Sequence, residues 1–160
     1  MKLNIKHILS FLSLFCTWLV FSCKEEQIHV IPSIKIHVKN GTIRDDKKIK
    51  CEVSLTDKEN VNKVNAKIEY RGSSSSIYPK KSYSIHFKNK KEFQFNGLNV
   101  LGEWVLYAPY ADRTCIRNKF AEYLYRKMGH KSTKSLYVDL YMNDQYKGLY
   151  ELRQKINLKN

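Results

Sequence analysis

The sequence lacks the short motifs that would identify a reaction directly. It contains no Walker-type phosphate loop and no glycine-rich loop with kinase spacing. Its cysteines and histidines are not spaced as zinc ligands. It has no internal repeat, and its one tract of low complexity is the serine run Ser73–Ser76. The length of 160 residues fits one domain, or part of a larger one.

Acidic side chains are also scarce. The chain has 15 Asp and Glu residues against 29 Lys and Arg residues, which gives a formal net charge of +14. No set of carboxylates stands out as metal ligands, so no metal site is predicted. The basic excess suits an anionic partner such as nucleic acid, an acidic polymer or an anionic membrane face. Because the lysines are spread along strands and loops, a solvated basic surface is the favoured interpretation.

A hydrophobic run long enough to span a bilayer is missing as well. The apolar run Ile8–Phe21 follows Lys2 and Lys6 and has the length of a signal-peptide core. It is followed by a serine and then Cys23, which is typical of a bacterial lipoprotein signal. The predicted boundaries are a signal peptide over residues 1–22, a tether over residues 23–30 and a domain over residues 31–160. The alternative is an uncleaved or ordinarily cleaved signal, with Cys23 incidental.

These features predict an exported bacterial lipoprotein at the periplasmic face or the cell surface, with lipid attached to Cys23. The membrane is then a partner through the lipid anchor, and a protein partner or substrate at the cell surface is expected. Export argues against a nucleic-acid partner, so none is predicted in spite of the charge. A strong, salt-dependent affinity for DNA would favour a nucleic-acid binder instead.

The four cysteines leave two candidates for a structural role. Cys16 belongs to the signal and Cys23 to the lipid attachment, so Cys51 and Cys115 remain. An oxidising compartment permits a disulfide between them, but two distant cysteines in a sequence do not establish the required geometry. We favour two free, buried thiols over a disulfide.

Apolar residues that alternate with polar ones predict a strand-rich chain. The alternation runs through Val64–Tyr70, resumes in Tyr83–Phe87 and recurs in Ser135–Met142. Gly72 and the four serines break it between the first two segments, and Pro79 fits the residue before a new strand. The sequence therefore predicts a strand, a polar loop and a second strand between Val64 and Phe87.

A single helix is predicted over Arg113–Met128, capped by Asp112 and ended by Gly129. Its apolar residues recur at helical spacing and are predicted to form one stripe in the core: Ile116, Phe120, Tyr123, Leu124 and Met128. The predicted fold class is therefore α+β, a mostly antiparallel sheet with one main helix.

The loop after Arg71 is the candidate binding element. Strand phase places Lys81 on the apolar side with Tyr83, and Lys80 on the opposite side. A lysine aimed at a core face is costly unless a carboxylate or a phosphate meets it. Backbone N–H groups of a Gly/Ser loop beside basic side chains can also hold phosphate oxygens. The alternative is a mobile surface hairpin whose lysines extend into water.

Several motifs together resemble the spore coat protein H (CotH) family of atypical, secreted or surface-associated kinase-like proteins. The motifs are Arg71-Gly-Ser-Ser, Tyr78-Pro-Lys-Lys-Ser-Tyr-Ser-Ile, Trp104-Val-Leu-Tyr-Ala-Pro-Tyr-Ala-Asp, Arg117-Asn and Gly148-Leu-Tyr. They occur in the family's order between Ile31 and Ile156. The resemblance implies the N-terminal portion of an atypical protein-kinase-like fold, with ATP and magnesium as cofactors and phosphotransfer as the activity.

The resemblance also implies which residues contact the nucleotide: Arg71, Ser73, Ser74, Lys80, Lys81 and Arg117. For Arg117, a structural ion pair with a carboxylate is equally open. The family's glutamate on the last strand is replaced here by Gln154, so a lysine–carboxylate pair is unavailable at that position. The family's metal-holding acids lie further C-terminal. The domain is therefore expected to be truncated at its C-terminus and inactive alone, with no catalytic residue assigned.

Two other interpretations stay open. One is a non-catalytic cell-surface module for interaction or scaffolding, which the 11 tyrosines and many lysines would suit. The other is an incomplete gene product without a stable function. ATP binding in the presence of magnesium separates the first interpretation from a kinase-like nucleotide-binding module.

Overall fold

The structure, a computed structural model, describes residues 30–58, 60–89 and 92–155. The predicted signal peptide, the lipid-attachment site at Cys23 and nearly all of the predicted tether lie outside the described residues. No helix in the described part of the chain is long and apolar enough to cross a membrane.

Strands dominate the described residues. The strands are β1 (Ser33–His37), β2 (Ile49–Asp57), β3 (Asn60–Arg71), β4 (Ser82–Phe87), β5 (Phe93–Phe95), β6 (Leu98–Val100), β7 (Gly102–Tyr107), β8 (Ser135–Met142) and β9 (Gln145–Gln154). One α-helix, α1 (Arg117–Lys127), connects β7 to β8, and a short 3₁₀ turn, Ser74–Ile77, connects β3 to β4. The segments that alternate in the sequence are strands, as predicted.

Seven strands form a closed barrel in the order β1-β2-β3-β4-β7-β9-β8. Neighbouring strands are antiparallel except at the closure, where β1 runs parallel to β8 and Ile34 lies opposite Leu140. The strands β5 and β6 form a separate two-stranded hairpin. Closing the sheet leaves no unpaired barrel edge, which removes a site of edge-to-edge aggregation.

The predicted fold class, an α+β sheet like the N-terminal portion of a kinase, is wrong. The described chain is mainly β, with one short helix and a mixed, closed sheet. The pattern of alternation predicts where strands lie but not whether a sheet closes. The closure joins β1 and β8, which are far apart in sequence, and neither strand carries a local signal for parallel pairing.

The barrel interior holds the core. Of the alternating apolar residues on β3 and β4, Ile68, Ile85 and Phe87 are each at most 1% exposed, whereas Val64 and Tyr70 are partly buried at the edge of the core. Trp104 is 2% exposed, and its indole N–H donates to the Leu101 carbonyl at 3.1 Å. Because each strand buries alternate residues, the opposite residues form the outer face of the barrel, where the polar sites lie.

Helix α1 begins four residues later than predicted. The segment from Asp112 to Ile116 forms a turn instead, in which Cys115 takes a left-handed backbone conformation with φ of 59°. The Asp112 carboxylate accepts hydrogen bonds from the N–H of Thr114 at 3.2 Å and from the N–H of Arg117 at 3.0 Å. Asp112 therefore satisfies the first helical N–H group, as a capping residue does, but from five positions upstream.

The prediction that the apolar stripe of this helix faces the core is wrong. All five members are exposed, from 45% for Leu124 to 70% for Met128. The helix buries its polar side instead, because β9 presents charged side chains on the outer face of the barrel. Glu122, the buried residue of the helix, contacts Arg153 there. Helical periodicity located the helix but did not reveal which side it buries.

Both remaining cysteines are free, as favoured from the sequence. Cys51 is buried on β2, and burial raises the pKa of its thiol to about 12, so the thiol stays protonated and unreactive. Cys115 is half-buried rather than buried, in the turn before α1.

An ion cluster on the outer face ties the chain's C-terminal strand to the β1–β2 connection. Glu103 accepts a hydrogen bond from Lys48 Nζ at 2.7 Å and another from Lys155 Nζ. Hydrogen bonds from these two lysines lower the pKa of Glu103 to about 2, from 4.5. The pairing therefore stabilises the fold while the carboxylate is ionised.

We expect Glu103→Gln to destabilise the fold at pH 7 by about 1 kcal/mol, because the cluster is partly screened by solvent. A lowered pKa gives stability that is present above the unfolded value of 4.5 and is lost as pH falls towards about 2. The difference between variant and wild type should therefore shrink between pH 5 and about pH 2 in urea unfolding. A difference that is the same at pH 7 and pH 2.5 would contradict this account.

Candidate functional site

The loop between β3 and β4 has a fixed backbone that depends on glycine. Gly72 has φ of 121°, and a Cβ there would lie 2.1 Å from Ser75 Oγ. After it, the Ser76 N–H donates to the Ser73 carbonyl at 3.1 Å, which closes the 3₁₀ turn. The first N–H groups of such a turn have no partner inside it. The loop therefore presents a compact backbone with N–H groups open to a ligand.

Three cationic side chains meet at this loop. A cleft of about 250 Å³ is lined by Arg44, Arg71 and Lys81, with Gly72 at its base and Asp45 as its one carboxylate. Ile43, Tyr70 and Ser76 complete the lining. The Arg44 carbonyl accepts the Tyr70 N–H at 2.7 Å, which holds the β1–β2 connection against the end of β3. The cleft carries an excess of positive charge suited to phosphate oxygens.

Of the six residues predicted from the sequence to contact the nucleotide, two line this cleft and two lie beside it. Arg71 and Lys81 line the cleft, and Ser73 and Ser74 are exposed beside it without lining it. The Lys81 ammonium donates to the Ser76 carbonyl. An ammonium has three N–H donors, so two remain for a ligand. Arg44 was missed because it lies in an irregular connection with no pattern to link it to Arg71.

Lys80 and Lys81 contact different neighbours, but Lys80, and not Lys81 as strand phase predicts, is the lysine that reaches a buried ring. Its Nζ donates to the Leu149 carbonyl at 2.7 Å and lies 4.7 Å from the centre of the Tyr150 ring. Burial lowers the pKa of Lys80, and the nearby Cys115 thiol acts in the opposite direction. A Cβ at Gly148 would lie 3.2 Å from Lys80 Nζ, so glycine leaves room for this lysine. A nucleotide contact for Lys80 stays a prediction.

Arg117 is engaged by a neighbouring carboxylate. Its Nε lies 3.5 Å from Asp112 Oδ1, while three quarters of its side chain is exposed. It does not line the cleft among the described residues. The chain just before the turn that precedes α1 lies beside the β3–β4 loop, because the rings of Tyr78 and Tyr110 are 5.0 Å apart. The structural ion pair is therefore formed, and a ligand contact for Arg117 stays a prediction.

A buried polar layer under α1 was not predicted from the sequence. Arg153 Nη2 lies 2.7 Å from Glu122 Oε1, and Arg153 Nη1 lies 3.8 Å from Glu151 Oε2. Asn118 donates to Glu151 at 3.2 Å, and Ser135 Oγ donates to Glu122 at 2.8 Å. Glu151 is 1% exposed, and its Oε1 has no hydrogen-bond partner within the described residues. These contacts hold the helix to the barrel.

This layer contains two of the three buried carboxylates among the described residues, and the third, Asp112, belongs to the turn before α1. The side-chain exposure is 8% for Glu122 and 2% for Glu151, and the guanidinium of Arg153 lies between them. Gln154, which replaces the family's glutamate, is exposed at the end of β9. Within residues 30–58, 60–89 and 92–155, no three His, Cys, Asp or Glu side chains are grouped so as to hold a metal ion. The buried carboxylates are therefore compensated by the protein itself.

Comparison with known proteins identifies the family. The model of the family described as CotH kinase protein matches residues 68–160. The match covers more than half of the chain and includes the β3–β4 loop, α1 and the β8–β9 hairpin. None of the curated proteins matches the chain. The resemblance predicted from the motifs is thus confirmed, and the chain belongs to the CotH kinase protein family.

Proposed function

We propose that this CotH-family protein binds ATP with its phosphates in the cleft of Arg44, Arg71 and Lys81. We further propose that it does so as an exported, lipid-anchored protein. The single observation that supports nucleotide binding is the meeting of three cations and one carboxylate around the Gly72 loop. Lysine and arginine form charge-assisted hydrogen bonds with phosphate oxygens, and these are about twice as strong as neutral ones.

The size of the cleft indicates which part of ATP it holds. Its volume of about 250 Å³ is below the range of roughly 300–1,000 Å³ typical of pockets that enclose a whole ligand. We therefore assign it to the phosphates and leave the nucleoside outside it. A magnesium ion bound with ATP would neutralise part of the phosphate charge, and such ions are usually held by one or two protein carboxylates. Asp45, which lines the cleft, would be the carboxylate for that role.

We expect Lys81→Ala to weaken Mg-ATP binding by at least ~1.5 kcal/mol, or more than tenfold, because a charge-assisted hydrogen bond is lost. Isothermal titration calorimetry measures the affinity directly. Lys131→Ala is the matched control, since Lys131 is an exposed lysine on the loop after α1, away from the cleft. The control should bind Mg-ATP as the wild type does.

Equal affinity of wild type and Lys81→Ala, with both variants folded, would place the phosphates elsewhere or nowhere. Arg71→Ala provides a second test of the same cleft, because Arg71 lies at the exposed end of β3. Its loss should also weaken binding about tenfold. The proposed site would be contradicted if neither Lys81→Ala nor Arg71→Ala weakened Mg-ATP binding.

The lipid anchor has an independent test. The motivation is the apolar run Ile8–Phe21 after two lysines, followed by Cys23. Expressed in a bacterial host, the wild type should incorporate labelled fatty acid and sediment with membranes. Cys23→Ala should lose the label entirely and leave the membrane fraction. Unchanged labelling in Cys23→Ala would remove the lipoprotein proposal.

A second candidate function is a non-catalytic interaction module at the cell surface. The observation in its favour is the row of exposed apolar side chains on α1, in which Phe120 is 58% exposed and Tyr123 is 49% exposed. Exposed apolar patches often mark protein contacts. This function is favoured if the wild type binds no nucleotide with or without magnesium.

A further inference from the structure

A second basic cleft lies on the outer face of β2 and β3, and no function has been assigned to it. Its volume is about 600 Å³, and five lysines line it: Lys39, Lys47, Lys48, Lys50 and Lys67. We propose that this cleft binds a polyanion that carries phosphate groups. In the sequence these five lysines are spread over three segments, and the fold brings them together around one concave site.

Two of the lysines face each other across the strands. Lys50 on β2 is the register partner of Lys67 on β3, and both belong to the polar face that alternates with the buried residues Cys51 and Ala66. Like charges placed directly opposite each other on a sheet are destabilising. Neither lysine forms an ion pair with any carboxylate in the described part of the chain. The pair therefore costs stability in the free protein, and a bound anion offsets that cost.

The other charges in the cleft are partly compensated. Lys48 is hydrogen bonded to Glu103 at 2.7 Å, and Lys39 lies 3.8 Å from Glu52. Lys47 is exposed and forms no ion pair among the described residues. Three lysines, Lys47, Lys50 and Lys67, thus remain available to a ligand. His37, Asn40 and Asn65 also line the cleft and add side-chain N–H donors.

The charge and the size of the cleft indicate the class of ligand. Three uncompensated ammonium groups require more than one negative charge, and lysine contacts phosphate as a point charge. A volume of about 600 Å³ lies within the range that encloses a small-molecule ligand or a headgroup. The ligand is therefore a molecule with two or more phosphate-type charges, either free in solution or carried as lipid headgroups on a membrane.

The cleft is separate from the proposed ATP site. It shares no lining residue with the cleft of Arg44, Arg71 and Lys81 among the described residues. Substitutions in one cleft should therefore leave binding at the other unchanged. This independence makes the two proposals separately testable.

The test uses tripolyphosphate in calorimetry and vesicles in sedimentation, both at low salt because the interaction is screened by ions. The wild type should bind tripolyphosphate with a component that Arg71→Ala/Lys81→Ala retains. Lys50→Gln/Lys67→Gln should weaken that component at least tenfold, and Lys47→Gln should weaken it less. Lys63→Gln is the matched control, because Lys63 lies on the same face of β3 but outside the cleft.

A thermal melt supplies a readout that a merely structural role would not produce. Without ligand, Lys50→Gln/Lys67→Gln should melt at the same temperature as the wild type or higher, because the like-charge pair is removed. Tripolyphosphate should raise the melting temperature of the wild type and of Lys63→Gln, but should raise that of Lys50→Gln/Lys67→Gln much less.

Vesicles distinguish the source of the phosphate. Binding to vesicles of phosphatidylcholine with phosphatidylglycerol, lost in Lys50→Gln/Lys67→Gln and absent with phosphatidylcholine alone, assigns the cleft to lipid headgroups. Lysine-dependent binding of tripolyphosphate without vesicle binding assigns it to a soluble polyanion. Absence of binding to both probes, or binding that the Lys50 and Lys67 substitutions do not weaken, would overturn the proposal.

Discussion

A chain of residues 23–160, incubated with radiolabelled ATP, magnesium or manganese and a generic protein acceptor, should transfer no more phosphate than its Lys81→Ala variant. Phosphoryl transfer depends on positioned phosphates and on a metal held by acidic side chains that neutralises developing charge. The cleft of Arg44, Arg71 and Lys81 supplies candidate phosphate contacts. Among its described lining residues Asp45 is the one carboxylate. Of the three buried carboxylates in the described part of the chain, Glu122 and Glu151 contact Arg153, and Asp112 accepts hydrogen bonds from the turn before α1.

The expected loss of transfer rate follows from the importance of electrostatic contacts to the transition state. Loss of one electrostatic contact to the transition state typically lowers the rate by about 10²–10³, even where binding survives. Transfer should therefore be absent although ATP binds. An active protein kinase in the same mixture controls for the acceptor and the label. Clear Lys81-dependent labelling would contradict the expectation and would mean that Asp45, together with acids such as Asp112, Asp139 or Glu151, assembles a metal site on binding ATP.

Arg153→Met should destabilise the fold by about 3 kcal/mol, because it removes the cation between two buried carboxylates. Glu122 and Glu151 would then lie under α1 without a guanidinium, and Glu151 Oε1 already has no hydrogen-bond partner among the described residues. The methionine keeps most of the side-chain volume, so the loss is electrostatic rather than a cavity. Urea unfolding at pH 7 measures the free energy of unfolding.

Two further variants make this prediction specific. Arg126→Met replaces an exposed arginine on α1. Surface substitutions of this kind usually change the free energy of unfolding by no more than about 0.5 kcal/mol. The double variant Arg153→Met/Glu122→Gln should recover part of the stability lost in Arg153→Met, because one of the unpaired charges is removed. If Arg153→Met and Arg126→Met lowered the free energy of unfolding equally, the polar layer would not be what holds the helix to the barrel.

The strands could be predicted from the sequence because alternation is a local signal. The residues that alternate on β3 and β4 lie in the barrel core, and the β8–β9 hairpin turns at Asn143 and Asp144, both with positive φ. Barrel closure could not be predicted, because it depends on the parallel pairing of β1 with β8. That pairing is a long-range property, so the prediction of a mostly antiparallel α+β sheet was wrong although its strands were correct.

The helix shows how periodicity can mislead about burial. Its apolar stripe is more pronounced in the sequence than its polar side, yet the polar side faces the barrel. The deciding residue is Arg153 on β9, which faces outwards and pairs with Glu122 of the helix as well as with its neighbour Glu151. The contacts between β9 and the helix cannot be predicted from the sequence, because they depend on how the helix packs against the strand.

The candidate phosphate site was predictable only in part. The Gly/Ser loop, Arg71 and Lys81 could be singled out from the sequence, but strand phase aimed Lys81 at the core, where the structure has Lys80 against the Tyr150 ring and Lys81 on the exposed Ser76 carbonyl. The contribution of Arg44 and the second basic cleft arise from the β1–β2 connection, whose irregular sequence gives no indication of where its side chains lie.

A crystal structure of the chain with magnesium and a non-hydrolysable ATP analogue tests the proposed nucleotide site most directly. The account predicts phosphate oxygens within about 3 Å of Lys81 Nζ and of the Arg71 guanidinium, the distance of a charge-assisted hydrogen bond. Lys81 should turn at least one of its N–H groups from the loop towards the phosphates. Phosphates bound elsewhere, for example between Lys50 and Lys67, with the Arg71 and Lys81 side chains free of contact, would contradict it.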